Sequence, residues 1–156
     1  MANTYTQLNV HTVFSVKGRH NFLSEQLRPK LFSYISGIAK SIDIYPLAIN
    51  GWKDHVHMFF ELPPNITLSQ FMEIVKANSS KWINKNRFLS GKFEWQRGYS
   101  GFTNSRLQRD EVINYIINQE KHHKKTENTF RKEYLALMNK YEIDYEPQYL
   151  SAFYDE

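Results

Sequence analysis

Strand-like and helix-like patterns of apolar residues follow one another in the first half of the chain. The segment YTQLNVHTVFSVKG alternates roughly and is rich in Val, Thr and Phe, which predicts a strand ending near Gly18. Residues 24–42 place apolar side chains three and four positions apart, which predicts a helix with Ser24 as its cap. The segments DIYPLAING and DHVHMFFEL then predict an antiparallel hairpin joined through Asn50 and Gly51, a favoured turn pair.

The same patterns recur in the second half. Residues 65–88 predict a helix capped by Thr67, and residues 91–105 predict a strand with a loop. The resulting order βαββαβ is typical of an α+β, ferredoxin-like (RRM-like) antiparallel sheet with both helices on one face, so we expect the other face to be free. Additional C-terminal helices are predicted over residues 107–125 and 128–141.

Length and composition indicate one soluble domain. The 156 residues suit a single domain, which we place at residues 1–140, followed by an acidic, aromatic tail at residues 141–156. No apolar stretch reaches the roughly 20 residues of a membrane helix, and the first residues lack a secretory pattern. The chain has no cysteine, which excludes disulfides and thiolate metal sites. We therefore expect a cytoplasmic protein with no membrane partner.

The charge distribution favours an anionic partner. The formal net charge is +4, from 20 Lys and Arg against 16 Asp and Glu. Basic residues concentrate between Lys76 and Lys132, whereas acidic residues crowd the end of the chain. A basic middle segment suits contact with phosphates, although a solvated surface without a ligand gives the same pattern.

Two histidines stand in the predicted core strand KDHVHMFF. Because side chains alternate along a strand, His55 and His57 leave on one face, while Val56 and Met58 leave on the other. Paired imidazoles on one face suggest metal ligands, and Asp54 flanks them. The alternative is that both histidines make ordinary hydrogen bonds in a partly wet groove.

A second candidate group lies on the helix predicted after Leu107. One apolar stripe of this helix should face the core: Val112, Ile113, Ile116 and Ile117. Tyr115 falls off that stripe, and Gln119 and His122 lie on the same flank as the tyrosine. A phenol, a carboxamide and an imidazole along a flank that core packing does not need favour chemistry or binding. An exposed tyrosine on a polar face is the alternative.

The two groups together resemble a known family. The segment DHVHMFFELPP followed by VINYIINQEKHH is similar to the single-tyrosine HUH transposases, the nucleases of small bacterial insertion sequences of the 200/605 type and of their REP-associated relatives. The HUH motif, two histidines around a bulky hydrophobic residue, is met by His55 and His57. The YIxxQ motif is met by Tyr115 and Gln119. The resemblance covers nearly the whole domain, and members of this family share a ferredoxin-like sheet.

The resemblance implies a DNA strand-transfer enzyme. It makes His55, His57 and Gln119 ligands of a divalent ion, Mg²⁺ or Mn²⁺, and it makes Tyr115 the nucleophile that forms a 5′-phosphotyrosine. It also implies a single-stranded DNA substrate, folded into a hairpin beside the cleavage site, and a homodimer. Imidazole ligands would also accept Zn²⁺ or Ni²⁺, so the identity of the ion stays open.

Basic side chains of the middle segment are candidates for contacts with DNA phosphates. They are Lys76, Lys81, Lys85, Arg97, Arg106, Arg109, Lys121, Lys124 and Lys125. Two other interpretations of the chain stay open. One is a metal-dependent phosphodiesterase that uses an activated water, in which Tyr115 only binds; the other is an RRM-like nucleic-acid-binding module without catalysis.

Overall fold

The protein is built on a sheet of four antiparallel strands. A computed structural model describes residues 3–125 and 129–145. The strands are β1 (Asn9–Ser15), β2 (Pro46–Gly51), β3 (His55–Glu61) and β4 (Ser100–Asn104). They lie in the order β2-β3-β1-β4, and every neighbouring pair is antiparallel. This is the strand order of a ferredoxin-like sheet, so the predicted fold class is confirmed.

Helices lie on both faces of the sheet. The α-helices of the described residues are α1 (Leu27–Ser41), α2 (Leu68–Lys85), α3 (Arg109–Ile117), α4 (Gln119–His123) and α5 (Phe130–Lys140). The first two pack on one face, over an apolar core that includes Phe60 and Phe71. The predicted cap of α2 is present, because Thr67 forms a capping box. The N-cap of α1 is Gln26 rather than the predicted Ser24, although Ser24 Oγ accepts a hydrogen bond from the Leu27 N–H at 3.1 Å.

The hairpin of β2 and β3 turns later than the sequence predicts. Asn50 and Gly51 are the last residues of β2 and pair with β3, and residues 52–54 make the turn. A Cβ atom at Gly51 would run into the backbone carbonyl of His55. Glycine is therefore required here for the close approach of two backbones rather than for the turn itself.

The second face of the sheet is covered, so the expectation of a free face is wrong. Helix α3 lies over β2 and β3, where Val112 and Ile116 pack against Phe59. Helix α5 lies over the other half of the sheet, where Phe130 packs against Val13. The physical reason is that the additional helices have apolar stripes of their own, and apolar strand residues on this face, such as Val13, Phe59 and Phe102, give those stripes a surface to bury.

The helix predicted over residues 107–125 is divided in two. The break falls at Asn118, whose backbone (φ −90°, ψ 16°) is not helical. The Asn50 side chain donates a hydrogen bond to the Ile117 carbonyl at 2.8 Å, which satisfies a backbone group at the end of α3. Ile117 is 58% exposed, so its predicted place in the apolar stripe is wrong. The break matters because the candidate ligand Gln119 comes directly after it.

The end of the chain is described only in part. Residues 141–145 follow α5, and residues 146–156 of the predicted tail lie outside the described residues. The domain boundary at residue 140 stays a prediction. Within residues 3–125 and 129–145, no helix combines the length and the apolar character needed to cross a membrane.

Candidate active site

The imidazole of His55 is held in one orientation. Asp54 Oδ1 lies 2.7 Å from its Nδ1, and the ring stacks on Phe130 with 3.8 Å between centroids. Its Nε2 lies 3.1 Å from Gln119 Oε1 and 3.2 Å from Glu133 Oε1. Burial alone would lower the pKa of His55, but the hydrogen bonds to Asp54 and Glu133 raise it to about 9. The Asp54 contact thus leaves Nε2 as the atom offered to a ligand.

His57 is oriented by another histidine. His11 Nε2 lies 2.8 Å from its Nδ1, and its Nε2 lies 3.2 Å from Glu133 Oε1. Burial lowers the pKa of both imidazoles, that of His11 to about 3. Two neutral rings need one donor and one acceptor across their contact. When His57 Nδ1–H donates to His11, the Nε2 of His57 keeps a free lone pair for a metal.

Glu133 is the carboxylate on which these imidazoles converge. It lies in the first turn of α5, a helix capped by Thr129. Its Oε1 lies 3.2 Å from Nε2 of both His55 and His57 and 3.0 Å from Nε2 of His123. Burial would raise the pKa of Glu133, but the neighbouring imidazoles, His57 first, hold it well below its usual range. Glu133 is therefore an ionised carboxylate in a buried place.

Gln119 directs its carbonyl oxygen at the histidines. The residue opens α4 and is fully buried. Its Nε2 donates a hydrogen bond to Glu133 Oε2 at 2.7 Å, which fixes the orientation of the amide. Its Oε1 lies 3.1 Å from His55 Nε2 and 3.0 Å from His123 Nε2. We call these five residues, His55, His57, Gln119, His123 and Glu133, the histidine–carboxylate cluster.

The phenol of Tyr115 reaches the same cluster. Its hydroxyl donates a hydrogen bond to Glu133 Oε2, and its ring centroid lies 5.7 Å from that of His57. Burial raises the pKa of Tyr115, and the negative charge of Glu133 raises it further. The phenol is therefore held in its protonated form against a carboxylate. His122 lies beside it, as predicted, with 6.3 Å between ring centroids.

The donor set of the cluster fits a divalent metal ion. The ligand atoms of His55, His57 and Glu133 lie within 4.8 Å of one another, and all three residues are buried. An ion with ligands at about 2.1 Å separates neighbouring ligand atoms by about 3.0–3.4 Å. The 3.2 Å from each imidazole Nε2 to Glu133 Oε1 falls in this range. The group can therefore hold a metal.

Three members of this arrangement are missing from the sequence prediction. Alternation along β1 places His11 on the face of His57, because β1 pairs with β3. The four-residue spacing from Gln119 to His123 places both on one face of a helix. His11 and His123 could therefore have been predicted from the sequence. Nothing in the sequence marks Glu133, which is one of several charged residues in an amphipathic segment.

Two of the predicted phosphate-contacting residues have partners within the protein. Lys76 Nζ donates hydrogen bonds to the backbone carbonyls of Gln96 at 2.8 Å and Gly98 at 2.7 Å, and burial lowers the pKa of Lys76. Arg109 Nη2 pairs with Glu61 Oε1 at 3.2 Å. These contacts hold a loop and a helix end to the body of the protein, which is a sufficient structural role for both side chains.

The remaining predicted phosphate contacts are exposed. They are Lys81, Lys85, Arg97, Arg106, Lys121, Lys124 and Lys125. Helix α2 carries Lys81 and Lys85 on the face of the sheet opposite the histidine–carboxylate cluster. The three lysines after Gln119 lie on or directly after α4, on the side of the cluster. Contacts of any of them with DNA stay predictions.

The sequence match to a known family covers the sheet and Tyr115. The protein-family model described as transposase IS200 like matches residues 4–119, from before β1 to the first residue of α4. The chain belongs to the IS200-like transposase family. The resemblance seen in the two motifs is thereby confirmed, and it supports an enzyme that cleaves and transfers DNA strands. Residues His123 and Glu133 lie beyond the matched range.

Curated relatives agree with this assignment. The transposases for insertion sequence element IS200 of Salmonella typhimurium and Salmonella typhi are each 29% identical over 105 residues, which cover 64% of this chain and 68% of the relative. The ISDra2 transposase TnpA of Deinococcus radiodurans is 24% identical over 119 residues, covering 72% of this chain and 84% of the relative. These IS200-like proteins are all transposases of insertion sequences by name.

Solved structures share the fold. A crystal structure of a candidate transposase from Deinococcus radiodurans R1 superposes with a TM-score of 0.61 at 23% identity, covering 75% of this chain and 94% of that one. A REP-associated tyrosine transposase bound to a REP hairpin superposes with a TM-score of 0.57 at 17% identity, covering 77% of this chain and 72% of that one. At these identities the likeness supports the ferredoxin-like fold of the IS200-like chain.

Proposed function

We propose that this IS200-like transposase is a metal-dependent enzyme that cuts and rejoins single-stranded DNA through a covalent bond to Tyr115. The observation that carries the proposal is a convergence within one chain. The hydroxyl of Tyr115 and the Nε2 atoms of His55 and His57 all contact one carboxylate, Glu133. A nucleophile and a metal-ligand group are therefore within reach of a single phosphate.

Tyr115 supplies the nucleophile. Its Oη forms a bond to the scissile phosphorus while the bond from phosphorus to the 3′ oxygen breaks, which leaves a 5′-phosphotyrosine and a free 3′-OH. Glu133 Oε2 accepts the phenolic proton, and the departing 3′ oxygen gains one from its surroundings. In the reverse step a 3′-OH attacks the phosphotyrosine and the phenol leaves, so strands are joined without an external energy source.

The protonation states of Tyr115 and Glu133 in the free protein are consistent with these proposed roles. The pKa of Glu133 lies well below its usual range, so the carboxylate is ionised and its Oε2 has a lone pair free for the phenolic proton. The pKa of Tyr115 is raised above the value of about 10 for a free phenol, so the side chain does not ionise by itself. Attack and proton transfer to Glu133 are therefore coupled, and the nucleophile stays inert until a phosphate is in place.

The cluster would hold the ion that the resemblance implies. His55, His57 and Glu133, with Gln119 as a further oxygen ligand, would bind a divalent ion such as Mg²⁺ or Mn²⁺, which supplies positive charge opposite the phosphate oxygens as negative charge develops. His11 fixes the ring of His57, as Asp54 does for His55.

The substrate proposal is a single-stranded hairpin. The structurally similar REP-associated transposase is bound to a REP hairpin, which supports a folded DNA partner for this chain. The exposed lysines on and after α4, Lys121, Lys124 and Lys125, are the predicted phosphate contacts nearest in sequence to the cluster. A homodimer stays a prediction, and the cluster requires only one chain to assemble.

The decisive experiment looks for the covalent intermediate. The purified chain is incubated with Mn²⁺ and a library of labelled single-stranded hairpins with randomised flanks, and adducts are detected on a denaturing gel. We expect an adduct with the wild type and none with Tyr115→Phe. The matched control is Tyr99→Phe, a partly exposed tyrosine outside the cluster, which should keep the adduct. Cleavage that persists in Tyr115→Phe would show that water is the nucleophile and contradict the proposal.

A further inference from the structure

His123 occupies a position that neither motif of the family explains. The residue is 8% exposed, and its Nε2 lies 3.0 Å from both Gln119 Oε1 and Glu133 Oε1. The Nε2 atoms of His55 and His57 reach the same Glu133 oxygen at 3.2 Å. Three imidazoles therefore surround one carboxylate oxygen, although the motif contains only two histidines.

The fold places His123 there by means of the helix break. Because α4 begins at Gln119, directly after Asn118, the side chains of Gln119 and His123 are one turn apart on the same face of a new helix. The ring of His123 is supported from outside by Trp52, with 6.3 Å between centroids and 19° between planes. Trp52 lies in the turn that precedes His55, so the turn and α4 fix the two imidazoles relative to each other.

We propose that His123 is a further ligand of the bound ion, so that a third imidazole joins His55, His57, Gln119 and the Glu133 carboxylate in the ligand set. This inference rests on the proposed function, because it concerns the same metal centre. Mg²⁺ prefers oxygen ligands and keeps several waters, whereas imidazole suits first-row transition ions such as Zn²⁺, Ni²⁺ and Co²⁺. Of the two ions named for the proposed function, the centre should therefore bind the transition ion Mn²⁺ more tightly than Mg²⁺, and later first-row ions more tightly still.

The distances from Glu133 Oε1 to the three imidazoles agree with this assignment. Around an ion at about 2.1 Å, neighbouring ligand atoms lie about 3.0–3.4 Å apart. The distances from Glu133 Oε1 to the three Nε2 atoms are 3.0–3.2 Å. Without an ion, all three Nε2 atoms would have to carry protons to share that oxygen. The competing explanation is thus a hydrogen-bonded cluster that binds no metal at this place.

Metal binding is measured on the full chain without DNA. The protein is titrated with Zn²⁺, Co²⁺, Mn²⁺ and Mg²⁺ in competition with a chromophoric chelator, and circular dichroism verifies the fold of each variant. We expect one transition ion per chain, bound at least about 100-fold more tightly than Mg²⁺. His123→Phe keeps an aromatic ring beside Trp52 and should weaken Zn²⁺ binding by about 100-fold or more. His20→Phe makes the same change at an exposed histidine and should leave binding unchanged.

X-ray absorption of the Zn²⁺-loaded wild type tests the proposal without any variant. Three imidazoles in the scattering pattern support it. Two imidazoles, or no ion bound at this place, overturn it. The covalent-adduct experiment decides the proposed function separately: an adduct that requires Tyr115 together with two imidazoles refutes only the role of His123. Three imidazoles without any adduct refute only the strand-transfer function.

Discussion

The two faces of the sheet bury different kinds of side chain, although the same strands form both. On the face toward α1 and α2, alternate strand residues such as Phe14 and Phe60 form an apolar core from which water is excluded. Toward α3, α4 and α5, the intervening residues His55 and His57 are equally buried, yet their partners are polar. Apolar side chains tolerate many neighbours, whereas each buried polar atom requires a specific one. The first face therefore contributes mainly apolar packing, whereas the second combines apolar packing with a fixed arrangement of polar atoms.

The largest effect expected on the polar face comes from Glu133. Glu133→Gln removes the charge that contacts the imidazoles and the phenol while keeping the size of the side chain. We expect adduct formation with hairpin DNA to slow by about 10²–10⁴-fold, because the proton acceptor for Tyr115 is lost. Single-turnover kinetics measure the rate. Glu120→Gln, at an exposed carboxylate of α4, is the control and should react at the wild-type rate.

On the apolar face, Phe71→Ala should affect stability alone. Phe71 is fully buried and lies edge-to-face on Phe60 with 4.7 Å between centroids. The cavity should lower the free energy of unfolding by about 3–5 kcal/mol in urea titrations. Below the unfolding transition, the affinity of the folded protein for Zn²⁺ should match that of the wild type. A loss of metal affinity would mean that the two faces are coupled, contrary to the comparison.

A smaller effect on metal affinity should distinguish His11 from its neighbour Thr12 in β1. His11 contacts the Nδ1 of His57, whereas Thr12 faces the opposite side of the sheet. His11→Ala should weaken metal binding by about 10–100-fold, since the orientation of a ligand is lost. Thr12→Val, at an equally buried position, should leave metal affinity unchanged. Equal losses in the two variants would show that metal affinity follows strand packing rather than the His11 contact.

The smallest effect concerns the exposed surface of α4. Lys124 pairs with Glu120 at 3.1 Å, and both side chains are at least half exposed. Lys124→Ala should change the free energy of unfolding by less than about 0.5 kcal/mol. If Lys124 contacts a phosphate, the slope of log affinity for hairpin DNA against log salt should fall by about 1. Lys40→Ala, at an exposed lysine of α1 that is not among the predicted phosphate contacts, should not change that slope.

The sequence predicts the apolar face better than the polar one. Periodicity is sufficient for the element order βαββαβ and for the paired histidines, because both depend on patterns within single segments of the chain. The turn after Gly51 and the cover over the second face were mispredicted, since they depend on how separate segments meet. Glu133 contacts His57 across 76 positions of sequence, and no local pattern encodes such a contact. The break at Asn118 likewise depends on Asn50, from another strand.

The position of Glu133 on α5 has a consequence for synthesis on the ribosome. The four strands, α1 and α2 are complete by residue 104, and their apolar core can form while the later helices are still in the exit tunnel. The carboxylate arrives only with the last described helix. A nascent or prematurely terminated chain that has folded its sheet therefore lacks Glu133, and under the proposed mechanism it would not cut DNA until translation has passed α5.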